Sequence, residues 1–215
     1  MGEARQRLPV GAGGPDLSTQ ASAGLFDMTT RRNFIAGAAS IAALGVPRLR
    51  AEPVLTDDGL YSEPWFLQSF LELPDDLESA RKEGKRLAVM WELKGCPYCK
   101  ETHFVNFARK DISDYVKSNF EVLQLNIIGS RTVTDFDGQK LSEKEMAAKY
   151  GVRFTPTFQF FGERAADLKS LAPQKREVAR APGYLRPDDF LAMFRYVREK
   201  AYETSSFRDF LKARS

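Results

Sequence analysis

The stretch RLAVMWELKGCPYCKETH, residues 86–103, decides the fold. It begins with an apolar run at 86–93 that has the length of a strand buried on both faces of a sheet. Both cysteines of the chain, Cys96 and Cys99, and its only histidine, His103, follow within eight positions. A C-x-x-C pair directly after a buried strand and at the start of a helix indicates a redox site.

The spacing of the cysteines suits dithiol–disulfide chemistry, because it brings both sulfurs within disulfide reach in one turn. We expect Cys96 to lie at the helix N-terminus, where unpaired N–H groups and the helix dipole favour the attacking thiolate. Cys99, one turn into the helix, would be shielded and would resolve the mixed disulfide. Pro97 suits the first helical position, where a missing N–H costs nothing, and Tyr98 completes the active-site turn. The pattern predicts a redox-active Cys96–Cys99 disulfide and no separate cofactor.

Three other interpretations of the pair stay open. A structural disulfide that closes so small a loop would remove little chain entropy. Buried, inert thiols fit poorly beside the polar neighbours Lys94 and Lys100. A copper or zinc site is the third, since Cys96, Cys99 and His103 fall at i, i+3 and i+7 of one helix, but a structural site wants a fourth ligand. We therefore expect no metal.

Two charged residues near the pair are candidates for tuning it. His103 lies one turn beyond Cys99 and could shuttle a proton to the resolving thiol, although a half-exposed histidine without chemistry fits equally well. Glu92, four residues before Cys96, could be a buried base near Cys99 if the strand turns it inward. A solvated carboxylate is the expectation for Glu92.

The remainder of the chain from residue 52 onward alternates strand and helix patterns and predicts one domain. An irregular or partly extended arm at 55–73 comes first. Strands are predicted at 86–93, 121–128, 155–161 and 176–184, and helices at 74–84, 100–120, 141–151, 186–203 and 206–212. The segment 129–140 contains Asp-Gly and is expected to be a hairpin or surface insertion, by default an inert loop. The segment 162–175 is expected to be a polar link between two antiparallel strands.

Three local patterns support the predicted helices. Ser142 followed by Glu145 is a capping box. The helix at 186–203 is amphipathic and should turn Phe190, Met193, Phe194 and Val197 inward. The stretch after the cysteines is expected to form one helix or two successive helices, with one side lined by Phe104, Phe107, Tyr115 and Val116.

The first 51 residues are predicted to be a leader. Residues 28–51 contain Arg31-Arg32 and then a mildly apolar stretch too short for a membrane span, which is typical of an export signal of the twin-arginine type. We expect cleavage after Ala51, and Met28 is a candidate for the true start. The domain at 52–215 would then lie in the periplasm, where disulfides persist.

The charge distribution argues against a nucleic-acid partner. The leader holds six basic and three acidic side chains, so the 26 basic and 26 acidic residues that remain in 52–215 balance. No basic block interleaved with aromatic residues follows residue 51. We expect a monomer with a mixed-charge, solvated surface.

The CPYC motif after a strand, with GVRFTPTFQFF about sixty residues later, resembles the thioredoxin superfamily. The resemblance implies a thioredoxin fold of the α/β class: a central mixed β-sheet flanked by helices, here with an N-terminal arm and a C-terminal helical extension. It also implies a cis-proline beside the cysteines, matched by Pro156, with the Thr155 backbone presented to an extended substrate.

Further stretches (PWFLQSFLEL, VLQLNIIGSRTVTDFDG, YGVRFTPTF and VARAPGYLRPDDFLAMFRYV) resemble the SoxW-type periplasmic thioredoxins of sulfur-oxidising systems. This resemblance implies reduction of protein disulfides, fed by a membrane electron donor of the SoxV or CcdA type. Two departures bear on the redox potential. Met90 stands six residues before Cys96, where many thioredoxins have a buried acid, and the dipeptide between the cysteines is Pro-Tyr. A disulfide oxidase or isomerase is the alternative enzyme.

Overall fold

The computed structural model describes residues 52–214, so the predicted leader and its export signal lie outside the described residues. In chain order the elements are β1 (Val54–Leu55), β2 (Tyr61–Ser62), α1 (Leu73–Lys82), β3 (Arg86–Glu92), α2 (Pro97–Glu101), a π-helix (Thr102–Asn106), α3 (Lys110–Asn119), β4 (Phe120–Asn126), β5 (Thr132–Thr134), β6 (Lys140–Ser142), α4 (Glu143–Lys149), β7 (Thr157–Phe161), α5 (Ala165–Leu168), α6 (Pro173–Arg176), β8 (Glu177–Pro182), α7 (Pro187–Arg198), a 3-10 helix (Ala201–Glu203) and α8 (Phe207–Lys212). Within 52–214, no helix combines the length and the apolar character needed to cross a membrane.

The main sheet has four strands in the order β4-β3-β7-β8. Strand β3 is parallel to β4 and antiparallel to β7, and β8 is antiparallel to β7. The sheet is therefore mixed, and helices pack on both of its faces. This is the α/β thioredoxin fold that the sequence predicts.

The residues of β3 alternate between two cores. Ala88 and Met90 point into a core shared with α3 and α7, while Leu87, Val89 and Trp91 point into a second core shared with α1 and α4. Every residue of β3 is buried, as the continuous apolar run predicts. The strand that carries the cysteine loop is thus held from both faces.

The capping box and the inward face of α7 are confirmed. The Ser142 side chain accepts from the Glu145 backbone, and the Glu145 carboxylate accepts from the Ser142 backbone. Phe190, Met193, Phe194 and Val197 are all buried. The sequence patterns that depend on near neighbours along the chain therefore locate these helices correctly.

The segment 129–140 is not an inert loop. Its strand β5 pairs with β6 in an antiparallel hairpin, and Val133 and Phe136 are buried in the core against α1 and α4. The hairpin part of the prediction is confirmed and the inert loop is wrong, because two apolar side chains of the segment, Val133 and Phe136, fill space in the core.

The polar link at 162–175 contains two short helices, α5 and most of α6, that the sequence did not predict. A buried ion network holds this region: Arg176 donates to Asp135 at 2.7 Å, and the Tyr150 hydroxyl donates to the same carboxylate at 2.7 Å. Asp135 is fully buried. Since charged residues make these contacts, hydrophobic periodicity carries no signal for them.

The arm before α1 packs closely on the domain. Leu60 and Phe66 are buried, and the Leu67 backbone N–H donates to the Val122 carbonyl of β4 at 2.9 Å. Strands β1 and β2 form a small antiparallel hairpin within it. The partly extended arm that the sequence predicts therefore lies against the sheet, near the end of β3 that leads into the cysteine loop.

Candidate active site

The two cysteines stand at the junction of β3 and α2 and form a disulfide. Gly95, with φ of +76°, lets the chain turn between these elements. Cys96 is the N-cap residue of α2, and its sulfur accepts from the backbone N–H of Cys99 at 3.1 Å. Pro97 is the first residue of the helix, where it lacks no needed hydrogen bond. The helix N-terminus thus directs the Cys99 N–H at the Cys96 sulfur, an arrangement that stabilises negative charge there.

The two sulfur-bearing residues differ in access to solvent. Cys96 is partly exposed, whereas Cys99 is buried with 4% of its surface exposed. A disulfide or thiol from another molecule can therefore reach Cys96 but not Cys99. This asymmetry separates an attacking position from a resolving position.

The Thr155-Pro156 segment lies beside the pair, and its peptide bond is cis. The Cys96 sulfur lies 3.4 Å from the Thr155 carbonyl oxygen. The residue before Thr155 in the chain, Phe154, is 65% exposed, and Tyr98, two residues after Cys96, is 56% exposed. We call these two exposed aromatic residues the apolar rim of the site.

The outer part of this rim has defined geometry. The ring of Tyr98 stacks on that of Tyr184, with centroids 5.8 Å apart. The Tyr184 hydroxyl donates to the Asn106 side chain at 3.1 Å, and the Asn106 amide donates to the Leu185 carbonyl at 2.9 Å. The loop after β8 is thus tied to the π-helix, and this contact positions Tyr184 beneath Tyr98.

The expectation of a solvated Glu92 and a half-exposed His103 is wrong. Glu92 is 1% exposed and His103 is 0% exposed. His103 Nε2 lies 3.1 Å from Glu92 Oε1, and His103 Nδ1 lies 3.0 Å from Glu63 Oε1. The Gln124 amide donates to the other oxygen of Glu92. We call Glu63, His103 and Glu92 the buried carboxylate–histidine network.

The charge state of this network follows from its contacts. Burial works against a charged imidazole, but the hydrogen bonds and the charges of Glu63 and Glu92 outweigh it and raise the pKa of His103 to about 9. His103 is therefore an imidazolium at neutral pH and donates through both ring nitrogens. Each ring nitrogen thus has a carboxylate partner, Glu63 at Nδ1 and Glu92 at Nε2.

The network reaches the cysteines through a cavity of about 290 Å³. Glu92, Cys96 and Cys99 all line it, together with Leu60 and Tyr61 of the arm. The volume is several times the roughly 30 Å³ that one water occupies in the liquid. The cavity therefore connects the buried sulfur with the buried carboxylate.

The helical stretch after Cys99 departs from the predicted geometry. It continues as a π-helix, in which the Phe107 N–H donates to the Thr102 carbonyl five residues earlier, at 2.9 Å. Phe107 and Val116 are buried but Phe104 is 43% exposed, so the expectation that Phe104 lies on the same side as these residues is wrong. In this π-helical turn His103, not Phe104, occupies the buried side.

Sequence reasoning missed Glu63 and Gln124. Glu63 lies 40 residues before His103, in an arm with no regular pattern. Gln124 lies in a strand whose apolar residues predict the strand but no site residue. A single weak signal was available: a lone histidine and a lone acid at the end of an apolar strand, both close to the cysteines. Their partners become visible only when the arm and β4 are folded against β3.

The contacts of His103 bear on the metal alternative. Both ring nitrogens face carboxylates, so neither is directed at the cysteines. Across residues 52–214, no group of three or more His, Cys, Asp or Glu side chains is arranged to hold a metal ion. The residues proposed as a copper or zinc site are engaged in other contacts.

The chain is similar to known proteins in sequence and in structure. The sequence model of the thioredoxin-like domain family matches residues 73–198. A thioredoxin-fold protein from Helicobacter pylori is 25% identical, with a TM-score of 0.44 over 60% of this chain and 80% of that one. A thioredoxin from Thermus thermophilus is also 25% identical, with a TM-score of 0.43 over 59% of this chain and 83% of that one. No curated protein matches the chain.

Proposed function

We propose that this chain, which belongs to the thioredoxin-like domain family, is a thiol–disulfide oxidoreductase that works through Cys96 and Cys99. The observation that carries the proposal is the asymmetry of the pair: an accessible sulfur at a helix N-terminus and a covered sulfur one turn later. A pair that served only stability would not need one sulfur exposed beside an open apolar rim.

In the proposed reaction the Cys96 thiolate attacks one sulfur of a substrate disulfide. The Cys96–substrate bond forms, the substrate disulfide breaks, and the second substrate sulfur leaves as a thiolate. Cys99, as a thiolate, then attacks the Cys96 sulfur and releases the first substrate sulfur. The substrate gains two electrons, and the protein ends as the Cys96–Cys99 disulfide.

The substrate is proposed to be an extended protein segment. The Thr155 carbonyl lies 3.4 Å from the Cys96 sulfur, so the Thr155-Pro156 backbone borders the point of attack. Phe154 and Tyr98 would cover apolar side chains of the segment on either side of its cysteine. More than half of the surface of each residue is exposed, which leaves it available to a substrate.

The cellular setting remains the proposal that the sequence suggests. The protein would be exported by its twin-arginine-type signal, act as a monomer in the periplasm, and reduce protein disulfides of a sulfur-oxidation system. A membrane electron donor of the SoxV or CcdA type would return the disulfide to the dithiol. The resemblance to SoxW-type thioredoxins and the leader support this setting.

A trapping experiment tests the proposed activity. The full chain with Cys99→Ser should accumulate a stable disulfide between Cys96 and its substrate, because the resolving sulfur is absent. Cys96→Ser is the matched control and should trap nothing, since Cys99 is covered. Equal adducts from both variants, or none from Cys99→Ser, would contradict the proposed roles; mass spectrometry of the adduct identifies the substrate.

A redox titration separates the reductant from the alternative oxidase or isomerase. Equilibration of the full chain with glutathione buffers should place the midpoint close to that of thioredoxin, about −270 mV. A midpoint near about −120 mV would instead indicate a disulfide oxidant, since couples of that potential have a strongly stabilised reduced form.

A further inference from the structure

The arm that precedes α1 supplies a charged residue to the interior of the active site. Glu63 is 5% exposed, and its carboxylate lies 3.0 Å from the Nδ1 of His103. The family match begins at residue 73, so Glu63 lies outside the part of the chain that the family shares. An ionised group is costly to bury unless it is paired, and here it is paired with the one histidine of the chain.

Several contacts fix the arm over this site. The Gln124 amide donates to the Tyr61 carbonyl at 2.5 Å and also to Glu92, so one side chain of β4 holds both the arm and the network. The Tyr61 ring meets the Phe104 ring edge-on, with centroids 5.1 Å apart. The arm therefore covers the buried carboxylate–histidine network from one side.

The other titratable groups around the cavity are few. Tyr61 comes from the arm and Lys100 from α2, with its ammonium 5.9 Å from the centre of the Tyr61 ring. On the far side of His103, Glu52 lines a second cavity of about 210 Å³ together with Glu63. Glu92 is the only carboxylate that lines the cavity shared with the two cysteines.

We infer that the arm is part of the redox centre: Glu63, through His103, sets the charge of the network that takes up the proton of Cys99. The inference rests on the proposed function, because it concerns the resolving step. Glu92 accepts the Cys99 proton within the cavity. Glu63 and His103 are positioning residues, since Glu63 accepts from His103 and His103 donates to Glu92. The position six residues before Cys96 is the apolar Met90, so it supplies no base.

The proton and electron balance of the step is complete. The Cys99 thiol loses its proton to the Glu92 carboxylate, so a negative charge moves from Glu92 to the Cys99 sulfur. The Cys99 thiolate then forms a bond to the Cys96 sulfur and breaks the bond between Cys96 and the substrate. The substrate sulfur leaves with the electron pair, and Glu92 returns its proton to solvent or to that thiolate.

The test titrates Cys99 alone, in the full chain with Cys96→Ser, by thiolate absorbance. In this background Glu92→Gln and Glu63→Gln each remove one negative charge, so the pH midpoint of thiolate formation should fall, by about one pH unit for Glu92→Gln and by less for Glu63→Gln. Asp76→Asn is the matched control, since Asp76 is a largely buried carboxylate that accepts from Ser69 and does not line the cavity. Its midpoint should not move.

A second measurement needs no change in the network. Because coupling between two sites is reciprocal, ionisation of Cys99 must appear in the titration of His103. The NMR signals of the single histidine should show two steps in the Cys96→Ser chain and one step when Cys99→Ser is added. Unchanged Cys99 midpoints in folded Glu63→Gln and Glu92→Gln chains, or a single step for His103 in both backgrounds, would overturn the inference.

These outcomes are distinct from failure of the proposed function. The titrations of Cys99 and His103 require no substrate and no turnover. If trapping by Cys99→Ser fails while the Cys99 midpoint responds to Glu63, the network is coupled to the thiol but the exchange activity is wrong. If trapping succeeds and the midpoint does not respond, the arm has no part in the chemistry.

Discussion

The sharpest test of the buried carboxylate–histidine network is the change in unfolding free energy when His103 loses its proton. The pKa of His103 is raised from 6.5 to about 9 in the folded protein. A raised pKa means that the folded state holds the proton more tightly than the unfolded state. The resulting contribution to the free energy of unfolding is fully present below pH 6.5. It is lost as the pH rises through about 9, where the folded protein also gives up the proton.

The magnitude follows from the shift. A difference of about 2.5 pH units at about 1.4 kcal/mol each corresponds to roughly 3 kcal/mol of unfolding free energy. His103 is the only histidine of the chain, and the disulfide removes both cysteines from titration, so few other groups titrate between pH 6.5 and 9. The predicted fall in unfolding free energy over this pH range should therefore be attributable to His103.

The assay is urea denaturation of the oxidised full chain at intervals between pH 6 and 9.5. Unfolding free energy should be level up to about pH 6.5 and then fall by about 3 kcal/mol. In Glu63→Gln the imidazolium has one carboxylate partner instead of two, so the slope should be shallower. Asp76→Asn, a buried carboxylate away from His103, should keep the full slope.

Two results would refute the reasoning. Stability that stays level between pH 6.5 and 9 would mean that His103 has no preference for the proton in the folded state. A slope in Glu63→Gln equal to that of the unaltered chain would mean that the contact between Glu63 and His103 contributes nothing to holding the proton.

Three further predictions concern other parts of the molecule. Arg176→Ala should lower the free energy of unfolding by about 1–3 kcal/mol in urea denaturation, because it removes one of the two cations that pair with the fully buried Asp135 and leaves Lys149 as the other; no measurable loss would contradict the structural role of this pair. Ser142→Ala should cost about 1 kcal/mol by the same assay, through loss of the cap of α4, whereas Ser142→Thr should retain most of it. Phe154→Ala should slow exchange with unfolded protein disulfides but leave exchange with oxidised glutathione unchanged; equal slowing of both, measured by stopped-flow fluorescence, would exclude Phe154 from substrate binding.

Patterns among residues close together in the chain predicted much of the fold. The apolar run before the cysteines predicted β3, the spacing of the cysteines predicted the helix turn at Cys96, and the Ser142–Glu145 pair predicted the start of α4. Each of these depends on residues at most a few positions apart, where strand alternation, helix periodicity and capping act directly.

The polar partnerships escaped prediction for the opposite reason. Asp135 and Arg176 are 41 residues apart and Glu63 and His103 are 40 residues apart, and no periodic pattern links charged residues at such separations. The two short helices of 162–175 were missed because an ion network, not an apolar face, holds them.

The sequence by itself determined the position of the two sulfurs and that Cys96 lies at the start of the helix. Both depend only on four consecutive residues that follow a buried strand. Only the tertiary structure decided what surrounds the inner sulfur. Burial of Glu92 and His103 is tolerable only because an arm residue from far along the chain completes their pairing, and a pairing of that kind exists only once the chain has folded.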